Sequence, residues 1–273
     1  MNDSLDCDEY RSLLRAVLTE PASDLFRLVL ADWLDERAGD AGALRADLIR
    51  ADVEAAAIRD GGGVVDAMTK ARQHRAWDAF DAAGLMEAEW AVPLRTALAV
   101  DRSLTSGAGC CERYPYGPAC DCYESAARLT WGRGFVERVE LTQDAYLGHA
   151  GAIFSAHPVT AVTLTDKRPS QRILPPPLDF GETDRHRPIV PARVWEWWSD
   201  GLGEVGSAGV DTELFREIWG DMTGVPDLAE GGRYALRYPT EGLADAALCR
   251  GLVAVGRRRA GLPRLPLPSE VTR

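Results

Sequence analysis

Phe135-Val136-Glu137-Arg138-Val139-Glu140-Leu141-Thr142 and Pro158-Val159-Thr160-Ala161-Val162-Thr163-Leu164-Thr165 are the two stretches whose pattern decides the fold. Offset by 23 residues, they match Val136 to Val159, Val139 to Val162, Leu141 to Leu164 and Thr142 to Thr165. Between them, Asp144 to Ala156 supplies Tyr146, Leu147, Ile153 and Phe154, a helical set. A strand, a short helix and a second strand at this period describe one step of a solenoid, in which each repeat hands its apolar face to the next. Two copies fall short of the ~3 needed to close a continuous core. The segment must therefore pack on its neighbours, with a helical bundle expected on one side and the C-terminal segment on the other.

Upstream, the chain reads as helices. Leu13, Leu14, Val17 and Leu18 recur at helical spacing, and Pro21 ends that helix. Ser23 suits the N-cap of a second helix carrying Leu25, Phe26, Val29, Leu30, Trp33 and Leu34, with Gly39 just past its end. Leu44, Leu48, Ile49 and Val53 define a third, stopping before Gly61-Gly62-Gly63, and Val64 to Leu85 reads as a fourth with Trp77 and Phe80.

Downstream, residues 168–192 hold Pro169, Pro175-Pro176-Pro177, Pro188 and Pro191 and read as a linker. Arg193 to Trp198 suits a strand, Asp211 to Trp219 a short helix and Arg233 to Tyr238 a second strand. Thr240 caps a helix to about Ala260, with Leu243, Ala247, Leu248, Leu252 and Val255 on one face. The expected fold class is α+β, an α/β mixture of three parts: an N-terminal helical bundle, a βαβ segment and a C-terminal α+β segment. The expected boundaries are a helical domain over 1–100, a Cys/Gly/Pro-rich loop over 101–127, the βαβ segment over 128–167, the linker over 168–192, the α+β segment over 193–262 and a Pro-rich tail over 263–273.

Composition narrows the function. The chain has 273 residues, 46% hydrophobic and 27% charged, which excludes collagen-like, coiled-coil and wholly disordered classes. Forty-two acidic against 31 basic residues give a net charge of −11. Such a surface repels phosphate backbones unless a basic face is clustered, and the tight basic run is Arg257-Arg258-Arg259 alone. No nucleic-acid partner is expected. No apolar stretch reaches the ~18–20 residues that span a bilayer, and Met1-Asn2-Asp3-Ser4 starts without a signal-peptide pattern. A cytoplasmic protein without membrane partners is the expectation.

Phe26-Arg27-Leu28-Val29-Leu30-Ala31-Asp32-Trp33-Leu34-Asp35-Glu36-Arg37, followed by Gly39-Asp40 and Asp47-Leu48-Ile49-Arg50, resembles the bacterial repeat-companion domain family. That resemblance covers roughly the first fifty-five residues, and its Ala31-Asp32-Trp33-Leu34 block is its most specific part. Trp131-Gly132-Arg133-Gly134-Phe135-Val136 and the repeat after it are similar to the leucine-rich-repeat-like segment that such proteins carry next. The resemblance implies a helical module joined to repeats, in a companion role without an assigned reaction.

Four cysteines, Cys110, Cys111, Cys120 and Cys122, fall within thirteen residues. Their number suits a structural zinc ion, although their spacing is not that of a zinc knuckle. The alternative is four reduced thiols on a loop. Cys7 and Cys249 sit on helical segments and read as packing residues. His74, His149, His157 and His186 form no metal-binding pattern; each reads as a partly exposed surface histidine, with His149 or His157 available to join the cysteine loop. No Gly-x-Ser-x-Gly elbow occurs, and the glycine-rich 203–209 stretch lacks the Lys-Ser/Thr of a phosphate loop.

Asp32, Asp35, Glu36 and Asp40 read as a salt-bridged helix end, with Arg27, Arg37 and Arg45 as the nearest cations. Trp33 is expected in the bundle core, its indole N–H bonded to a carbonyl or carboxylate. Trp195, Trp197 and Trp198 alternate across a strand, and buried packing is the leading reading for them. The function expected is that of a non-enzymatic protein–protein interaction or scaffold module with a protein partner. The alternative is a zinc-dependent enzyme or zinc-stabilised regulatory protein built on the cysteine loop.

Overall fold

A computed structural model of the chain describes residues 7–85, 127–173, 193–199, 209–219, 225–229 and 233–266. Among them the fold is α+β, with helices preceding strands. The chain divides into two compact units, residues 1–162 with 256–273, and residues 163–255.

The first unit opens with α1 (Asp8–Thr19), α2 (Asp24–Arg37), α3 (Gly39–Asp60) and α4 (Ala67–Ala82). Local chemistry sets their starts. Cys7 caps α1 with its sulfur, which accepts from the Tyr10 N–H, and Asp66 caps α4 by accepting from the N–H groups of Met68 and Thr69. The fourth helix consequently begins three residues later than Val64, where the sequence pattern put it. Ser23 stands at the N-cap of α2 but makes no side-chain cap bond. The turn from α2 to α3 is a single residue, Ala38, followed by Gly39 at φ +64°. Val17, Leu30, Ala31, Trp33, Leu34, Ala46, Ile49, Val53 and Phe135 form one buried cluster, and Leu48, Trp77, Phe80 and Leu85 a second.

Phe135 in the first cluster comes from the strands. β1 (Ala127–Gly132) and β2 (Phe135–Leu141) pair antiparallel about the two-residue turn Arg133-Gly134. Both turn residues have positive φ, +49° and +76°, as a type I′ hairpin requires. β1 is a strand that the repeat pattern does not announce. Thr142 then caps α5 (Gln143–Ala156), and β3 (Ala161–Leu164) takes the other side of β2, giving the order β1-β2-β3. The Thr160 N–H donates to the Glu137 carbonyl at 2.8 Å. These residues are 23 apart, so the bond joins equivalent positions of the two repeats and sets the start of β3 beside the first half of β2. Val136, Val139, Leu141, Val159, Val162 and Leu164 are all buried.

The last turn of the final helix, α7 (Glu241–Arg259), also belongs to this unit. Gly256 lies against the Phe154 ring so closely that a Cβ would collide with it. The residues after the helix are not a loose tail at their start: Leu262 is buried, and its N–H donates to the Arg257 carbonyl.

The second unit holds β4 (Ser170–Ile173), β5 (Arg193–Ser199), β6 (Gly209–Val210), α6 (Thr212–Ile218), β7 (Val225–Ala229) and β8 (Arg233–Tyr238) with most of α7. Its sheet runs β4-β5-β8-β7, with β6 parallel to the end of β5. β4 falls inside the stretch expected to be linker, where residues 170–173 pair with β5. Trp197 is buried and its indole N–H donates to the Ala244 carbonyl at 3.0 Å, while Trp195 and Trp198 are half-buried. Thr240 caps α7 through the Leu243 N–H. Ala247, Leu248, Leu252 and Val255 are buried as their spacing requires, whereas Leu243, assigned to the same face, is exposed.

Candidate functional site

The Arg133-Gly134 turn seats on the bundle. A Cβ on Gly134 would stand 2.6 Å from Ile49 Cγ1 and 2.9 Å from its Cα, so only glycine lets the turn lie this close to α3. At that seat Asp52, buried on α3, accepts from three donors at once, two on α4 and one in the hairpin turn. Gln73 Nε2 lies 2.6 Å and Trp77 Nε1 3.3 Å from Oδ1, and the Gly134 N–H lies 2.9 Å from Oδ2. Burial holds the Asp52 carboxyl above the usual carboxylate range, against the pull of these bonds.

Arg45, about two turns earlier on α3, is buried beneath three rings, 4.8 Å from the centre of Phe135, 5.3 Å from Phe80 and 5.8 Å from Trp131. Burial lowers its guanidinium to about 10. His157 packs edge-on against the same Trp131 ring and is 1% exposed. It is not the surface histidine its sequence context suggested. Its Nδ1 faces the Val136 N–H at 3.4 Å, while Nε2 has no hydrogen-bond partner among the described residues. Burial, with Arg45 nearby, depresses its pKa to about 3, so the imidazole is neutral.

A second ionic group ties the hairpin down at the bundle's end. Arg27, wholly buried, donates to the carbonyls of Pro21 and Ser23 and to Glu137 Oε1 at 3.0 Å. Arg133 pairs with Glu137, with Asp24 at 2.9 Å and with Asp60. Arg27 and Arg45 are thus committed to the interior rather than to the acidic face of α2. On that face Arg50 does the pairing, with Asp32 at 2.8 Å and Asp35 at 3.0 Å, and the hydrogen bond to Asp32 leads in raising its pKa. Trp33 is buried against Tyr10, but its indole N–H finds no carbonyl or carboxylate partner among the described residues.

Arg257 is also internal. Its guanidinium donates to the Leu18 and Thr19 carbonyls at the end of α1 and to the Pro263 carbonyl. It thereby satisfies helix-end acceptors rather than presenting charge to a phosphate.

These groups hold elements together. Open surface lies elsewhere. Because Arg133 touches both Asp24 and Asp60, the start of α2 and the end of α3 share one end of the bundle. Leu25 and Val29 lie in the first turns of α2, and Val64 and Met68 just beyond α3; they are 65%, 41%, 88% and 80% exposed. These are the exposed large hydrophobics of the first unit among the described residues.

Cys110, Cys111, Cys120 and Cys122, and with them His186, lie outside the described residues. Cys7 and Cys249 are free and half-buried, His74 is exposed and His149 half-buried. Among the described residues no three His, Cys, Asp or Glu side chains are grouped to hold a metal, and no helix is long and apolar enough to cross a membrane. No family model, curated protein or solved structure matches the chain.

Proposed function

We propose that this protein is a non-enzymatic interaction module, in which a helical unit of repeat-companion type and a short repeat stub present one end of the bundle to a protein partner. The observation that supports it is that the exposed large hydrophobics of the first unit among the described residues, Leu25, Val29, Val64 and Met68, all lie on segments that meet at or adjoin that end. Lone exposed apolar residues need no explanation, but several large ones at one place mark a contact surface. Of the charged side chains at that end, Asp24 and Asp60 are each paired with Arg133.

The test is affinity capture of the full chain from its native host, with mass spectrometry of what co-purifies, repeated with the double substitution Val64→Glu and Met68→Glu. Both side chains are exposed, so the variant should unfold at the wild-type temperature and lose the wild-type partner. A partner set unchanged by the two glutamates overturns the reading. The zinc alternative turns on Cys110, Cys111, Cys120 and Cys122, and metal analysis of the same purified chain tests it.

A further inference from the structure

Toward the other end of the bundle, the first half of α3 and the middle and later turns of α4 leave a trough of about 220 Å³, lined by Leu44, Asp47, Arg72, Arg75, Ala76 and Ala79. Its floor is apolar: Leu44 and Ala76 are half-buried and pack on the Leu48, Trp77, Phe80 cluster. Its rim is cationic on the α4 side. Arg72 is shared with Glu54 at 2.8 Å, both being about half exposed. Arg75 is exposed and has no ion pair among the described residues. Asp47, on the α3 side, sits 3.9 Å from Arg50, which is held more closely by Asp32 and Asp35.

In a chain of net charge −11, an unpaired arginine over an apolar hollow is the complement of an acid beside an apolar side chain. We infer that this trough binds a helix of a protein partner that places one apolar side chain in the hollow and a carboxylate, one turn away, on Arg75. Residues three or four apart on a helix lie on one face, so one helical segment can present both side chains to the trough. A partner-binding trough presupposes the interaction role proposed above, but it uses a different end of the bundle from Val64 and Met68.

The probe is a synthetic alanine-based helical peptide with leucine and glutamate four residues apart, titrated at millimolar concentration into the isotope-labelled full chain. Amide shifts are expected at residues 44–47 and 72–79. The exposed substitution Arg75→Glu should weaken binding roughly fivefold, the upper range for one exposed ion pair. A peptide with lysine for glutamate should bind no better to the wild type than the original peptide binds to R75E. Ala76→Leu, which fills the hollow and leaves Arg75 in place, should weaken the original peptide as well. Absence of shifts at these residues, equal binding by R75E, or equal binding of the lysine peptide each overturns the trough. Loss of the native partner in the Val64, Met68 double variant alongside any of those results removes the trough alone and leaves the interaction role standing.

Discussion

Trp33 and Trp77 are buried to nearly the same extent, 8% and 6% exposed, yet they sit in two different kinds of interior. Around Trp33 the neighbours are Val17, Leu30, Leu34 and Ile49, and the indole N–H is left without an acceptor among the described residues. Around Trp77 the indole donates to Asp52, and that carboxylate also receives Gln73 from α4 and the hairpin's Gly134. The first interior is held by burial of area, which tolerates reshaping. The second is held by a buried acceptor with three donors, which tolerates little, because each donor is orphaned if the acceptor goes. The first kind joins α1, α2 and α3 and takes in Phe135 of β2; the second ties α4 and the hairpin turn to α3.

The largest test of that contrast is Asp52→Ala. It leaves the Gly134 N–H, the Gln73 amide and the Trp77 indole without their acceptor in a water-poor site. The expected loss of unfolding free energy is about 3–5 kcal/mol, the range seen when one partner of a buried polar group is deleted. Denaturant unfolding of the full chain measures it. A change under about 1 kcal/mol would show that the hairpin is seated by apolar contact alone.

This contrast also explains what could be read from the sequence. Leu30, Trp33, Leu34, Ile49 and Val53 repeat at three- and four-residue steps, so α2 and α3 and their core are legible from spacing. The 23-residue match gave β2, α5 and β3 for the same reason: its valines and leucines are the buried ones. Asp52 carries no such signal. Its partners are 21, 25 and 82 residues away, and an aspartate on a helix reads as solvated until the fold removes the water. Arg27, Arg45 and His157 carry no such signal either, each being a buried polar residue whose environment is supplied by a distant element. One local signal did exist. Trp131-Gly132-Arg133-Gly134-Phe135 has glycine at a turn position between apolar residues, which is hairpin chemistry, and it would have announced β1. The apolar end and the trough were invisible, since both depend on which turns of which helices come together.

The next test moves to pH. His157 is neutral in the folded chain with a pKa of about 3, against an ordinary value of 6.5. The unfolded chain therefore binds a proton that the folded chain refuses as pH falls below 6.5. Stability from this site is fully present above that value and is lost progressively toward pH 3. Between pH 7 and pH 5 the loss is about 2 kcal/mol for this one group. Arg45 contributes in the same direction, since its charge beside the imidazole opposes protonation. Asp52 works the opposite way: its raised pKa means that its contribution shrinks as pH rises through the carboxylate range. Chemical denaturation at pH 7 and pH 5 should give a smaller difference for His157→Gln than for the wild type. Equal differences would place the imidazole in contact with water.

The smallest and sharpest test returns to the two indoles, with phenylalanine replacing each. Both substitutions remove similar volume from similarly buried positions, so the cavity contribution largely cancels in the comparison. What differs is the N–H. At Trp77 its removal deletes a bond to a buried carboxylate, whose remaining donors must then carry it, and the added cost is about 1–2 kcal/mol. At Trp33 the N–H is buried and unsatisfied, so its removal relieves a desolvation penalty that offsets part of the lost packing. Trp77→Phe is thus expected to cost more than Trp33→Phe by about 1–2 kcal/mol in parallel denaturant titrations. If Trp33→Phe proves the costlier change, its indole has an acceptor in solution, and the division between an apolar interior and a polar seam fails at the residue chosen to define it.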